Sequence, residues 1–509
     1  MITGTIKTKL DNLWDSMWSN QMTNPWIDIQ QITYLIFIKM LDDNQIKQEK
    51  KINDLKKHGY THALNDPIFK EGNFVNEDLK INVPYKNLRW SVFKEFEPRQ
   101  MFANLRDNVF PFIRNLNSDK ATSFANFMKD AQFAVSNAYI LSKMVDSLSD
   151  ESLGFNDKDL MGDCYEYLLS KMATSGDNGQ FRTPRHIIDM MVELAQPTLD
   201  DTIIDPAMGT AGFLAESAKY IYDHFENELS NQDKNKHFHN DMFTGFDTDT
   251  DMLRIGCMNM TLHAVENPDI RYNNSLSEEY DEASKYSLIL ANPPFAGSLA
   301  PETVSKSLNQ ISGGTKRTEL LFLSLFLRLL KIGGRCVSIV PVGVFNNSNE
   351  KAYTNLRKQL VENQKLEAVI NMPSGVFEPY SGVQTGILVL TKTNAGGTDN
   401  VWFYNMANDG YSLDKKRIQI KDNDIPDIIH RFKNLNEEYK NSRYDKSFMV
   451  SKQEIADNNY ILSWNKYSKK EMKAVEHRKT SEIMSDIFDL EAKFNQLLRD
   501  LKETLKDDN

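Results

Sequence analysis

Ile204-Asp205-Pro206-Ala207-Met208-Gly209-Thr210-Ala211-Gly212-Phe213-Leu214 is the stretch on which the fold turns. A short apolar run, 202–205, ends in an acid. A tight turn with glycines at 209 and 212 follows, and a helical stretch, 211–221, begins at once. Glycine lets backbone approach a ligand closely, and a helix start offers free N–H groups. The dinucleotide fingerprint G-x-G-x-x-G is absent, and so is the Gly-Lys-Ser/Thr ending of a phosphate loop. What remains is an acidic strand end, a glycine turn and a second acid, Asp247, closing the next apolar run, 242–247. An acid there can accept hydrogen bonds from both ribose hydroxyls of an adenosine. Without a diphosphate signature, the adenosine ligand that fits is S-adenosylmethionine. Taken alone, the motif is also compatible with an ordinary βα turn.

Downstream, the pattern repeats. Strand-like runs at 270–273, 287–291, 335–341, 366–371 and 385–391 alternate with helical stretches at 250–265, 319–330 and 352–364. This predicts an α/β fold, a Rossmann-like, mostly parallel sheet that binds its ligand at the strand C-termini. The run 287–291 ends in Asn292-Pro293-Pro294-Phe295, 87 residues after Asp205. Two prolines remove two backbone donors and stiffen the turn. The acceptors left are the Asn292 side-chain oxygen and the Pro293 carbonyl, beside the Phe295 ring. Such a cluster suits a planar amino group. Accepting both of its N–H bonds localises the nitrogen lone pair, and a sulfonium methyl can then transfer in line, with positioning and electrostatics carrying the catalysis. A base would stack on Phe295.

The flanks differ. The first 150 residues look helical; 26–41 is dense in apolar residues, with Ile29, Ile32, Ile36 and Met40 at helical spacing, and the Lys-rich 47–57 reads as a solvated helix face. Beyond 395 the text is polar, with one strand expected at 401–404. At the end, Ile487, Leu490, Phe494, Leu497 and Leu501 are spaced 3, 4, 3, 4, with Ile483 one step before them, a heptad seam. The segment 461–509 holds ten basic and ten acidic residues, which fits a protein contact better than a DNA contact, although packing on its own domain is equally open. The expected division is a helical domain at 1–150, a catalytic domain at 151–395, a mixed polar extension at 396–478 and a heptad helix at 479–509.

With 71 acidic and 60 basic side chains among 509 residues, the net charge is −11, which excludes a uniformly basic nucleic-acid coat but not a local basic cleft. The longest apolar run, 320–327, is bounded by Glu319 and Arg328 and is too short to cross a bilayer. With no signal core and three scattered cysteines, the expectation is a soluble, cytoplasmic chain with no membrane contact and no metal site. His237 and His239 read as a polar loop before a strand, His263 as structural, and Met208 and Met252 as packing residues.

Together, Asp205-Pro206-Ala207-x-Gly209-Thr210-Ala211-Gly212-Phe213-Leu214 and Asn292-Pro293-Pro294-Phe295 resemble the amino-group DNA methyltransferases. Gly179-Gln180-Phe181-Arg182-Thr183-Pro184-Arg185, the helical start with Tyr34-Leu35-Ile36-Phe37-Ile38-Lys39, and Pro373-Ser374-Gly375-Val376-Phe377 with Thr385-Gly386-Ile387-Leu388 narrow this. The chain resembles the methyltransferase (modification) subunit of type I restriction-modification systems. That resemblance implies adenine-N6 methylation of a flipped base in specific duplex DNA sequences. It implies that Gln180, Phe181, Arg182, Thr183, Pro184 and Arg185 close over S-adenosylmethionine. Asp205, Gly209, Thr210, Ala211 and Gly212 would line its site, and Asp247 would hold the ribose. Asn292, Pro293, Pro294 and Phe295 would be catalytic, with Phe295 and Phe377 against the target base. It also implies two copies of this chain per specificity subunit, joined by a restriction (nuclease/translocase) subunit. Arg182 stands where an aromatic is usual and Asp247 where Glu is common; Asn274 stands where an acid contacting the adenine is expected. Cytosine C5 is disfavoured, because none of the three cysteines follows a proline. The Asn-Pro-Pro-Phe turn alone leaves cytosine N4 open, as well as a protein glutamine amide and a silent cofactor-binding scaffold.

Overall fold

The computed structural model describes residues 4–18, 24–58, 67–116, 127–150, 158–174, 182–469 and 480–507, so Gln180 and Phe181 lie outside the described residues. Nine strands make one sheet: β1 (Ile203–Asp205), β2 (Phe243–Asp247), β3 (Asp269–Tyr272), β4 (Tyr286–Ala291), β5 (Leu330–Pro341), β6 (Lys365–Asn371), β7 (Thr385–Thr391), β8 (Asn400–Asn405) and β9 (Ser447–Ser451). Their spatial order is β9-β8-β6-β7-β5-β4-β1-β2-β3. From β3 through β5 every neighbour is parallel; β7 inserts antiparallel between β5 and β6. The order reverses between β1 and β4, where Ile204 sits opposite Ile289. At that point the connections leave the sheet in opposite directions and open a crevice at the strand C-termini. Asp205 closes β1 and Asn292 follows β4, so both lie at this crevice.

The chain reaches this fold for local reasons. β1 is buried at every residue and β4 at all but Ser287, as expected for strands covered on both faces. α1 (Gly4–Trp18), α2 (Pro25–Lys57), α3 (Ala138–Ser149) and α4 (Lys158–Thr174) belong to the helical part. α2 starts where the Asn24 side chain accepts the Trp26 N–H and Pro25 needs no partner. Its residues 29–38 are buried apart from Gln30, and its lysine-rich end is mostly exposed. The helical region also contains a hairpin, Asn73–Asn76 against Ile81–Pro84, which the helical expectation did not include. Thr33 Oγ and Tyr165 OH, 2.7 Å apart, tie α2 to α4. The catalytic helices are α5 (Arg185–Ala195), α6 (Gly212–Phe225), α7 (Thr250–Leu262), α8 (Thr318–Leu329) and α9 (Lys351–Asn363).

Three expectations need correction. Residues 236–240 are not a loop but part of a helix, Gln232–Asn240, started by the Asn231 side chain accepting the Asp233 and Lys234 N–H groups; His237 there bonds the Asp201 carbonyl at 2.8 Å. The polar extension is not separate from the sheet: β8 and β9 continue it, and a second hairpin, Asp409–Tyr411 with Gln419–Asn423, follows β8. Finally, residues 468–509 form a unit of their own, with the helix α10 (Thr480–Asp507). On α10, Ile487, Leu490, Phe494 and Leu497 are exposed; the side chains of Ile483 and Leu501 lie outside the described residues. Among the described residues no helix is long and apolar enough to cross a membrane.

Candidate active site

The glycine turn is built by close approach. Gly209 has φ +52°, and Ala211 at the start of α6 holds φ +59°, unusual for a residue with a Cβ. A Cβ on Gly212 would lie 2.9 Å from Ile188 Cδ1, so glycine is what lets α5 pack on the turn. The Gly209 N–H donates to Asp247 Oδ2 at 3.0 Å, and the Asp249 N–H to Asp247 Oδ1 at 2.9 Å. Asp247 therefore anchors the turn from the neighbouring strand. Met208 packs against Gly245 and Gly256, which have no side chain in its way, and Met252 is buried; both packing expectations hold.

A cleft of about 50 Å³ is lined by Arg182, Thr183, Ile188, Asp205, Gly209, Thr210, Gly212, Phe213 and Asn292 with Ala207 and Met208. Two motifs 87 residues apart thus meet in one crevice. Asp205 is fully buried and accepts the Ala207 N–H at 3.0 Å. Burial pushes its carboxyl up to about 8, the Ala207 N–H opposes this, and the Asp247 charge adds to it. At neutral pH this carboxyl is mostly protonated, and it can receive a cation only by giving up its proton.

Asn292 is oriented by a single bond: its Nδ2 donates to Thr183 Oγ1 at 2.8 Å. This fixes the amide so that Oδ1 is the free acceptor, and Oδ1 is buried without a hydrogen-bond partner. Leaving a buried acceptor unmade costs about 1–3 kcal/mol. A planar N–H donor arriving beside it would recover that free energy. The Phe295 and Phe377 rings stand edge to face, centroids 5.4 Å apart at 70°. Pro293 is buried and Pro294 exposed.

The segment before α5 splits in two. Arg182 and Thr183 line the cleft, whereas Pro184 and Arg185 do not. Arg185 is committed to carboxylates behind it: Asp163 at 3.3 Å, Asp189 at 3.2 Å, and Glu216. Glu166, at 3.7 Å, is a fourth, so these acids hold the Arg185 side chain out of the cleft lining. Ala211 and Asp247 are absent from the lining as well, and Asp247 holds the turn through the Gly209 N–H.

Arg182, where an aromatic was expected, forms a buried ion pair with Glu166 of α4. Burial lowers its pKa to about 10, with repulsion from Arg185 adding to this. Glu166 Oε1 also accepts from Asn259 Nδ2, and the same Nδ2 donates to the Thr210 carbonyl at 3.0 Å. Glu166 and Asn259 thereby connect the segment over the cleft to the glycine turn under it. Sequence reasoning missed both. Glu166 lies in the helical run 163–169, but its partners are 16 and 93 residues away, and nothing local marks them.

Other groups are quiet. Asn274 is exposed, and its side chain accepts the Leu276 N–H at 3.3 Å. His263 is held neutral, its pKa lowered by burial to about 4, with Nδ1 on the Asn259 carbonyl at 2.8 Å. All three cysteines are buried with thiols pushed up by burial, Cys164 to about 12, and none lines the cleft. That argues against a thiolate nucleophile.

Comparison with known proteins settles the family. Residues 156–476 match the N-6 DNA methylase family, and residues 6–148 the HsdM N-terminal domain. The chain belongs to the N-6 DNA methylases. It is 27% identical over 387 residues to the type I restriction enzyme EcoEI methylase subunit of Escherichia coli, covering 74% of this chain and 72% of that one. The EcoKI methylase subunit of Escherichia coli (strain K12) is 30% identical over 275 residues, about half of each chain. The methyltransferase subunit of a type I restriction-modification system from Streptococcus thermophilus superposes with a TM-score of 0.66 at 18% identity, covering 91% of this chain and 99% of that one. This N-6 DNA methylase is therefore an adenine-specific DNA methyltransferase of the type I modification-subunit kind, and its reaction calls for a methyl donor.

Proposed function

We propose that the methyl donor is S-adenosylmethionine and that it binds in the cleft between the glycine turn and the Arg182–Thr183 segment. The buried Asp205 carboxyl would face the donor's methionine end, the glycine turn would admit it closely, and Asp247 would reach the ribose. Gln180 and Phe181 would complete the cover. The donor would lie between the glycine turn and the Arg182 segment, which the Glu166–Arg182 pair holds in place.

The observation that carries the reading is the unpartnered Asn292 Oδ1. A flipped adenine would place its N6 amino group against this acceptor and the Pro293 carbonyl, and Phe295 and Phe377 would hold the ring. The two acceptors would draw the nitrogen toward tetrahedral geometry and free its lone pair for the methyl carbon. The donor's sulfur would leave as a neutral thioether, and the extra N–H proton would pass to solvent after transfer. No protein nucleophile is needed.

Sequence readout would come from a separate specificity subunit, with two copies of this chain on it and a restriction subunit completing the assembly. The exposed apolar seam on α10 and the neutral charge of the C-terminal segment support a helix partner. The test uses S-adenosylmethionine labelled on its methyl group, foreign duplex DNA, and this chain with and without its co-expressed specificity subunit. Digestion to nucleosides should show label on N6-methyladenine only with the subunit present. Label on N4-methylcytosine would overturn the assigned base; absence of label despite cofactor binding and assembly would move the substrate to protein or RNA.

A further inference from the structure

The hairpin Asp409–Tyr411/Gln419–Asn423 is not used by any step above, yet it is fastened to both halves of the site. Asp409 is fully buried at its base. His186 Nε2, one residue beyond Arg185, lies 2.9 Å from Asp409 Oδ2, and Arg417 pairs with the same carboxylate. Burial alone would raise the Asp409 pKa, but His186 and Arg417 outweigh it and hold the carboxyl below its ordinary value. The His186 ring stacks on Tyr411 at 4.6 Å, and the Arg417 guanidinium stands over the same Tyr411 ring at 5.6 Å. On the second side, Gly375 has φ +96°, and a Cβ there would come 2.4 Å from the Leu413 carbonyl. Gly375 lies two residues before Phe377. The hairpin base is thus rigid and touches both the cofactor segment and the loop that carries the proposed base contact.

Its tip is the opposite. Leu413 and Ile418 are exposed, Ile418 by 59%, and so are Ile420, Lys415, Lys416 and Lys421. Among the described residues none of these three lysines has a carboxylate within ion-pair distance, although the chain carries a net charge of −11. Asp414, the acid in the turn, accepts the Lys416 N–H and the Ser412 hydroxyl through Oδ1, and Asp422 is exposed beside Lys421. A ribbon that presents three lysines outside any ion pair, against the two exposed acids Asp414 and Asp422, keeps a net positive tip, and with two bare aliphatic side chains it is complementary to a polyanion with apolar sugar faces.

We propose that this hairpin is a duplex-DNA contact: Lys415, Lys416 and Lys421 engage backbone phosphates flanking the extruded nucleotide, and Leu413 and Ile418 lie against the sugars. This rests on the methyltransferase reading and adds to it the surface by which this subunit itself holds the duplex. Phosphate contacts of this kind position DNA without reading it.

The test is the triple variant Lys415→Gln, Lys416→Gln, Lys421→Gln, assembled with its specificity subunit. Duplex affinity is measured from 50 to 200 mM salt. Each lost phosphate contact flattens the log–log salt dependence by about 0.9, so the slope should become shallower by about 2–3, with affinity down by about tenfold or more at the low-salt end. Cofactor affinity and assembly should be unchanged. An unchanged slope in the variant, with a wild-type complex that binds, overturns the hairpin contact alone. Loss of assembly would show that the surface belongs to the protein partner and would also overturn it. A wild-type complex that binds no duplex would overturn the methyltransferase reading, and the contact with it.

Discussion

Asp205 is the cleft residue whose chemistry departs furthest from its solution behaviour. Its carboxyl, raised to about 8 chiefly by burial, keeps a proton in the folded chain that the unfolded chain has released above about pH 4. Between those values the native state binds more protons, so stability falls as pH rises, by up to about 1.4 kcal/mol per unit, and levels off above about 8. A ligand with a cationic amino group needs the ionised form and must expel that proton. S-adenosylmethionine affinity should therefore rise from pH 6 to 8, by up to about tenfold per unit, with proton release visible by calorimetry in buffers of different ionisation enthalpy. Asp205→Asn should flatten the profile; a flat profile in the wild type would remove the carboxyl from the binding step. The position of Asp205 was legible in the sequence because an acid at the end of an apolar run followed by glycines has few structural explanations. Its protonation was not, because that depends on the strands packed around it.

At the scale of elements, Glu166 of α4 and Asn259 of α7 tie the Arg182 segment to the glycine turn. Glu166 is the shared member, bonded to Arg182, Asn259 and, through Asn259, to the Thr210 carbonyl. Removing one partner of a buried ion pair leaves the other charge uncompensated, at a cost of about 3–5 kcal/mol. Glu166→Ala should lower the thermal midpoint and weaken S-adenosylmethionine binding; the double variant with Arg182→Met should recover most of the stability. If the double variant is no more stable than the single, Arg182 is not the group that Glu166 compensates. The expected strands were readable within one or two residues, except β5, which begins at Leu330 rather than near 335, while the helical stretch 211–221 runs on to Phe225 and 250–265 stops at Leu262. There the Lys331 to Gly334 stretch is polar and glycine-rich, which hides a strand from a search for apolar runs. β9 was missed for a similar reason: 447–451 is a short edge strand inside polar text, and only its pairing with β8 makes it one.

For the whole molecule, the proposed reading pairs the catalytic sheet with a specificity subunit that reads the DNA sequence. The C-terminal unit is the piece best suited to bring one. Along α10 the apolar residues Ile487, Leu490, Phe494 and Leu497 stay exposed, each by at least half. Deleting residues 480–509 should leave cofactor affinity intact and reduce co-purification of the specificity subunit several-fold or more; undiminished co-purification would place that contact elsewhere. The seam was visible as a 3-4 repeat, since heptads declare themselves locally. On the proposed reading its packing partner lies on the specificity subunit.

The central claim is that Asn292 Oδ1 is kept unpartnered for the target amino group. The direct test is single-turnover methyl transfer by wild type and Asn292→Ala, each assembled with the specificity subunit and saturated with DNA, alongside titration of S-adenosylmethionine. The account predicts that transfer falls by about 10²–10³-fold or more, the scale of losing one aligned electrostatic group, while cofactor affinity changes little. Transfer at the wild-type rate from an assembled, cofactor-bound Asn292→Ala complex would contradict it.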